Sequence, residues 1–149
     1  MATTRLAPDF KEFLRLLRSA KIEYLLIGGY AVGHYGFPRA TGDLDIWVAN
    51  HNENATRLVR ALREFGFDVP ELNESLFQKP QHVVRMGVPP VRLEILSSID
   101  GVDFQDCYPR RETVEMDGVE VDVISLADLK MNKRASGRHQ DLNDLEKLP

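Results

Sequence analysis

Residues 28–48 read GGYAVGHYGFPRATGDLDIWV, from Gly28 to Val48, and this stretch decides the fold. At its end Asp43, Asp45 and Trp47 alternate with Leu44, Ile46 and Val48. Alternation of that kind has the period of a β-strand, and we expect one over 42–48 with a single apolar face. Residues i and i+2 of a strand share a face, so the two carboxylates stand side by side, about 7 Å apart at Cα. Like charges that close raise a pKa unless something neutralises them. A divalent cation such as Mg2+, which takes hard oxygen ligands, does so. A solvated edge strand would carry the same Asp-x-Asp pattern, so its surroundings must decide.

Upstream, Tyr24-Leu25-Leu26-Ile27 is a short apolar run closed by Gly28-Gly29. It reads as a buried strand, then a turn, then a short helix over Tyr30–Tyr35. Glycines at such a turn let backbone N–H groups come close to a phosphate. An ordinary strand-to-helix turn has the same look. The glycine spacing matches neither the Walker A loop nor the dinucleotide fingerprint. Arg39 and Thr41 precede the carboxylates. Arg39 suits phosphate oxygens or, equally, pairing with Asp43 or Asp45, and Thr41 offers a hydroxyl donor.

A third carboxylate would complete a two-metal site for an in-line displacement. Glu94, in Val91-Arg92-Leu93-Glu94-Ile95-Leu96, is the best candidate, and Asp122 in Val121-Asp122-Val123 is its rival. Further on, Lys130, Lys133, Arg134, Arg138 and His139 form a basic run that suits a polyanion or a solvated helix face. Arg138 and Asp141 have the spacing of a helical ion pair.

The remaining periodicities place helices over 9–20, 53–65, 125–136 and 138–147. Residues 82–86 and 91–96 form a hairpin across Gly87-Val88-Pro89-Pro90, and a strand pair flanks Asp117-Gly118. Ser125 to Asp128 reads as a capping box. Mixed strands and helices of this kind indicate an α+β fold, a mixed sheet flanked by helices. At 149 residues, with 43% hydrophobic and 28% charged, the chain is expected to be a single domain, 1–149. With 19 basic against 23 acidic residues the net charge is −4, which argues against a general nucleic-acid coat protein. Cys107 is the only cysteine, which excludes an intrachain disulfide. No apolar run is long enough to span a bilayer, so no membrane partner and a cytoplasmic location are expected.

Gly28-Gly29 followed by Arg39-x-Thr41-x-Asp43-Leu44-Asp45 resembles the signature of nucleotidyltransferases of the DNA polymerase beta superfamily. The closer similarity is to small stand-alone members, including the AbiEii-like toxin group. Ser125-Leu-Ala-Asp-Leu129, Lys133-Arg-Ala-x-Gly137-Arg138-x-x-Asp141-Leu-x-Asp144 and Ile99-Asp-Gly-Val-Asp-Phe104 share it, so the resemblance covers roughly 22–148. It implies the polymerase beta-like fold and transfer of a nucleoside monophosphate from a nucleoside triphosphate. Asp43 and Asp45 would bind two Mg2+ ions, and Glu94 would be the third carboxylate. Gly28 and Gly29 would cradle the triphosphate, and Lys133 and Arg138 would be phosphate-side or structural. Tyr30 stands where many relatives carry Ser, and Glu94 where close relatives more often carry Asp.

The expected reaction is attack of an acceptor hydroxyl on the α-phosphorus, with pyrophosphate leaving. The acceptor is open among a transfer RNA end, a protein and a small molecule. It would lie in a shallow cleft, across a homodimer or on a partner protein. The competing readings are a non-catalytic nucleotide-binding or toxin–antitoxin interaction module on the same fold, and a two-metal nuclease.

Overall fold

The computed structural model describes residues 5–37, 41–88 and 90–149. Helix α1 (Pro8–Ser19) starts with a proline at its first turn and turns Phe10, Phe13, Leu14 and Leu17 to the core. Burial of each such side chain contributes about 1.5–3 kcal/mol. Strand β1 (Tyr24–Ile27) is buried along its whole length, as its unbroken apolar run implies. No separate turn follows it. Helix α2 (Gly28–His34) begins at Gly28 itself, whose positive φ of 68° makes the change of direction.

Strand β2 (Asp43–Val48) and helix α3 (Asn52–Phe65) come next, α3 ending at Gly66 in the left-handed conformation. The expected hairpin is β3 (Val83–Val88) with β4 (Val91–Leu96). A short helix α4 (Phe104–Cys107) leads to β5 (Glu112–Met116) and β6 (Val119–Val123). Helices α5 (Leu126–Ser136) and α6 (His139–Lys147) are separated by Gly137, again left-handed. Ser125 caps α5 by accepting from the Asp128 amide, but the capping box is only half made. The Asp128 carboxylate takes the Arg110 guanidinium instead, through two hydrogen bonds of 3.0 Å.

Among the described residues, six strands form one mixed sheet in the order β3-β4-β2-β1-β6-β5. β2 is central: it runs antiparallel to β1 and parallel to β4. Its register sets two kinds of row across β2, β4 and β3. Leu44, Leu93 and Met86 make one apolar row, and Ile46, Ile95 and Val84 another. Leu44, Ile46, Leu93 and Ile95 are all buried, so this face anchors the strands. The intervening rows carry the charges. No helix among the described residues is long and apolar enough to cross a membrane.

Candidate functional site

The charged rows meet where β1 passes into α2. Asp45 is paired in register with Ile27 on one side and Glu94 on the other, and Glu94 in turn with Arg85. One step along the strands, Asp43 pairs with Arg92, and Arg92 with Gly87. Alternation along each strand therefore assembles three acids and two arginines on one face. A cleft of about 930 Å³ opens over this face, lined by Gly28, Gly29, Asp45, Glu94, Lys133 and Arg138 among others.

Asp45 is the centre of the site. A β-carbon added at Gly28 would stand 2.0 Å from Asp45 Oδ2, so the glycine exists to let that carboxylate in. Asp45 Oδ1 is buried and has no hydrogen-bond partner among the described residues. Burial pushes the Asp45 carboxyl up to about 8, reinforced by the hydrogen bond and charge of Glu94 and by the charge of Asp43, and opposed by Lys133. An orphaned buried oxygen among three carboxylates is the environment that a cation relieves.

The two outer acids have partners already. Arg92 donates from Nε to Asp43 Oδ1 at 3.2 Å and from Nη2 to Oδ2 at 2.9 Å. Arg85 Nε donates to Glu94 Oε1 at 2.7 Å. With these pairs in place, no three acidic, histidine or cysteine side chains among the described residues converge as a ready metal-ligand group. The donor chemistry thus fits a hard divalent ion, and Asp43 and Glu94 would have to exchange an arginine for it.

Asp122, the rival third carboxylate, lies elsewhere. Its Oδ1 accepts from Thr113 Oγ1 at 2.7 Å and from Arg18 Nη1 at 3.4 Å, while its amide donates to the Tyr24 hydroxyl. It ties α1 to β5 and β1, and Glu94 is the acid that faces Asp45.

Lys133 lines the cleft, but it is buried and its Nζ lies 3.1 Å from both Asp141 Oδ1 and Asp144 Oδ2. Arg138 caps α6 and pairs with Asp141 at 2.8 Å, the expected i, i+3 contact. Thr41 is half-buried just before β2 and is not among the residues lining the cleft. Arg39 lies outside the described residues. Cys107 is buried, and burial pushes its thiol up to about 12, so it offers no thiolate.

The sequence reading missed Arg85 and Arg92. Arg92 was legible: two residues before Glu94 on one strand, it must share that acid's face.

A family profile, nucleotidyl transferase of unknown function (DUF2204), matches residues 7–149. The chain belongs to this family. Among solved structures, a candidate nucleotidyltransferase from Thermotoga maritima superposes with a TM-score of 0.65 at 20% identity, over 93% of this chain and 88% of that one. An antigenic nucleotidyltransferase-like protein from Paracoccidioides brasiliensis superposes with a TM-score of 0.55 at 21% identity, over 92% and 72%. Both similarities concern the fold. No curated protein sequence matches.

The raised Asp45 pKa carries a stability signature. Below about pH 4 the group is protonated in the folded and unfolded chain alike and costs nothing. As pH rises the unfolded chain ionises first, so stability is lost progressively until about pH 8 and is constant beyond. Asp45→Asn is therefore expected to exceed wild type in chelator, by about 2 kcal/mol at pH 8 and by little at pH 4. Urea unfolding of the two proteins across that range reads the difference, and a gap independent of pH would refute the assignment.

Proposed function

We propose that this member of the nucleotidyl transferase family is a Mg2+-dependent enzyme that moves a nucleoside monophosphate from a nucleoside triphosphate to an acceptor hydroxyl. The observation that carries the reading is the Asp45 carboxylate, seated against Gly28 with one buried oxygen unpartnered among the described residues, lining a wide cleft with Glu94 and two residues along β2 from Asp43. Asp43, Asp45 and Glu94 would hold the ions, which supply charge neutralisation at the α-phosphate and on the departing pyrophosphate.

The chain's own residues do the rest. Gly28 and Gly29 bring bare backbone to the cleft wall, which lets a phosphate chain approach without a side chain in the way. Glu94 lines the same wall and would accept the acceptor's hydroxyl proton on its carboxylate. Arg138 stands at the rim, its side chain 78% exposed, and can reach a phosphate while still close to α6. Holding acceptor and triphosphate in line supplies the greater part of the rate, together with the fixed charges.

The test is calorimetric titration of ATP, CTP, GTP and UTP with Mg2+ into wild type and into Asp43→Ala/Asp45→Ala. Mg2+-dependent binding to wild type and none to the variant is the expected result. A folded wild type that binds no triphosphate overturns the reading.

One observation favours a second reading. Asp43 and Glu94 are both engaged by arginines, which suits a non-catalytic nucleotide-binding or toxin–antitoxin interaction module on the same fold. Such a protein would bind nucleotide with Mg2+ but release no pyrophosphate in any acceptor screen with transfer RNA, protein or small molecules.

A further inference from the structure

Arg92 has no part in the reaction outlined above, yet it makes two hydrogen bonds to Asp43 where Arg85 makes one to Glu94. Its guanidinium grips both oxygens of Asp43, at 3.2 and 2.9 Å, in the fork geometry specific to arginine. Arg85 makes a single contact to Glu94 and is 58% exposed at its side chain, against 35% for Arg92. An exposed single-contact pair contributes little, so of the two arginines Arg92 is the stronger partner of the cluster.

Compensation is needed because Asp43, Asp45 and Glu94 crowd one patch of the sheet. Asp43 and Glu94 both add to the pressure on Asp45. A guanidinium on Asp43 relieves that pressure from one side, as a divalent ion would. The two cannot hold the same pair of oxygens together.

The surroundings of Arg92 permit exchange. Its register neighbour on β3 is Gly87, where the row carries no side chain. A β-carbon there would stand 2.5 Å from the Val91 carbonyl oxygen, so the hairpin geometry itself keeps the position bare. Gly87 offers no side chain to hold the guanidinium there, and the Arg92 side chain is 35% exposed.

We propose that Arg92 is the internal counter-ion of the acidic site: it occupies Asp43 in exchange with a divalent cation and thereby sets how tightly that cation is held. The inference rests on the proposed cation-binding role of Asp43 and Asp45. Arg92 is a positioning residue in this scheme. It stabilises the empty carboxylate cluster and must release Asp43 before an ion can use both of its oxygens.

The test uses Mn2+ alone as the probe, without nucleotide. The full-length wild type, Arg92→Gln, Arg92→Lys and Asp43→Asn/Asp45→Asn are titrated by calorimetry, with free Mn2+ followed by electron paramagnetic resonance. Arg92→Gln is expected to bind Mn2+ about tenfold more tightly than wild type, since one competing, partly exposed charge is gone. Arg92→Lys, which keeps the charge but loses the fork, falls between them, and the double asparagine variant does not bind. Thermal unfolding supplies a second readout. In chelator Arg92→Gln melts below wild type, and Mn2+ raises its midpoint by more.

Equal or weaker Mn2+ binding by Arg92→Gln, with binding by wild type intact, overturns the exchange and leaves the cation site standing. Absence of Mn2+ binding from folded wild type and folded variants overturns both. If Arg92→Gln does not fold, Arg92→Lys against wild type decides: binding no tighter than wild type refutes the proposal.

Discussion

Gly28→Ala is expected to cost about 3–5 kcal/mol and to abolish the Mg2+-dependent nucleotide binding proposed above. Two effects add. The position has φ of 68°, where a β-carbon is strained, at roughly 1 kcal/mol. The larger effect is collision. The new methyl would stand 2.0 Å from Asp45 Oδ2 and 2.9 Å from its Cγ, far inside contact distance. Asp45 cannot retreat, because β2 is held in register by β1 on one side and β4 on the other. Either the carboxylate leaves its seat, which dismantles the site, or the junction of β1 and α2 opens, which costs the core. A double-mutant cycle separates this from generic helix damage. In an Asp45→Ala background the Gly28→Ala substitution meets neither carboxylate atom, and only the backbone strain and a tight contact with Cβ remain. Its cost there should fall to about 1–2 kcal/mol, a strong coupling between the two positions. Equal costs in both backgrounds, measured by urea unfolding, would show that Gly28 serves the backbone alone.

The alternation from Asp43 to Val48 was enough to read β2, its apolar anchor and its acidic face, because a strand's period is short and each residue reports its own side. The same logic recovered Glu94 from its apolar neighbours on β4. What the sequence concealed were partners. For Asp43 the natural local suspect was Arg39, four residues away. The arginine that grips it is Arg92, 49 positions on, delivered by parallel pairing of β2 with β4. Parallel neighbours are far apart in sequence by necessity, so no local pattern announces them. Asp122 stayed a rival to the favoured Glu94 for the same reason. Both sit on buried strands between valines or leucines and isoleucines, and only strand order puts one beside Asp45 and the other beside Arg18 and Thr113. Short elements such as α4 were unreadable because four residues show barely one turn of periodicity.

Lys133 is the instructive case, since the basic run from Lys130 to His139 drew attention to charge available for a ligand. Its acids come from the following helix, 8 positions away for Asp141. Gly137 in the left-handed conformation folds α6 back so that both carboxylates reach the ammonium. Side-chain exposure is 7% for Lys133, 3% for Asp141 and 0% for Asp144, so the cluster is truly interior. Burial alone would push the Asp141 carboxyl up; the hydrogen bonds from Arg138 and Lys133 outweigh it and hold the group below its ordinary value. Lys133→Met keeps most of the volume and removes the charge. It removes the buried cation that lies between Asp141 and Asp144, and although Arg138 still holds Asp141 and Gln140 still donates to Asp144, the cost is about 3–5 kcal/mol. For a domain of this size that lowers the melting midpoint by roughly 6–20 °C. Adding Asp144→Asn to Lys133→Met should restore at least about 1 kcal/mol, because one of the two like charges left side by side is then gone. Recovery of that kind distinguishes an interior ion cluster from simple loss of packing, which a second polar substitution would only worsen. The effect should extend to the cleft as well. Lys133 is the positive charge that opposes the rise in the Asp45 pKa, so its loss should move the pH-dependent part of the Asp45→Asn comparison to still higher pH. Lys133 thus connects the packing of α5 on α6 to the protonation of the acid at the centre of the site.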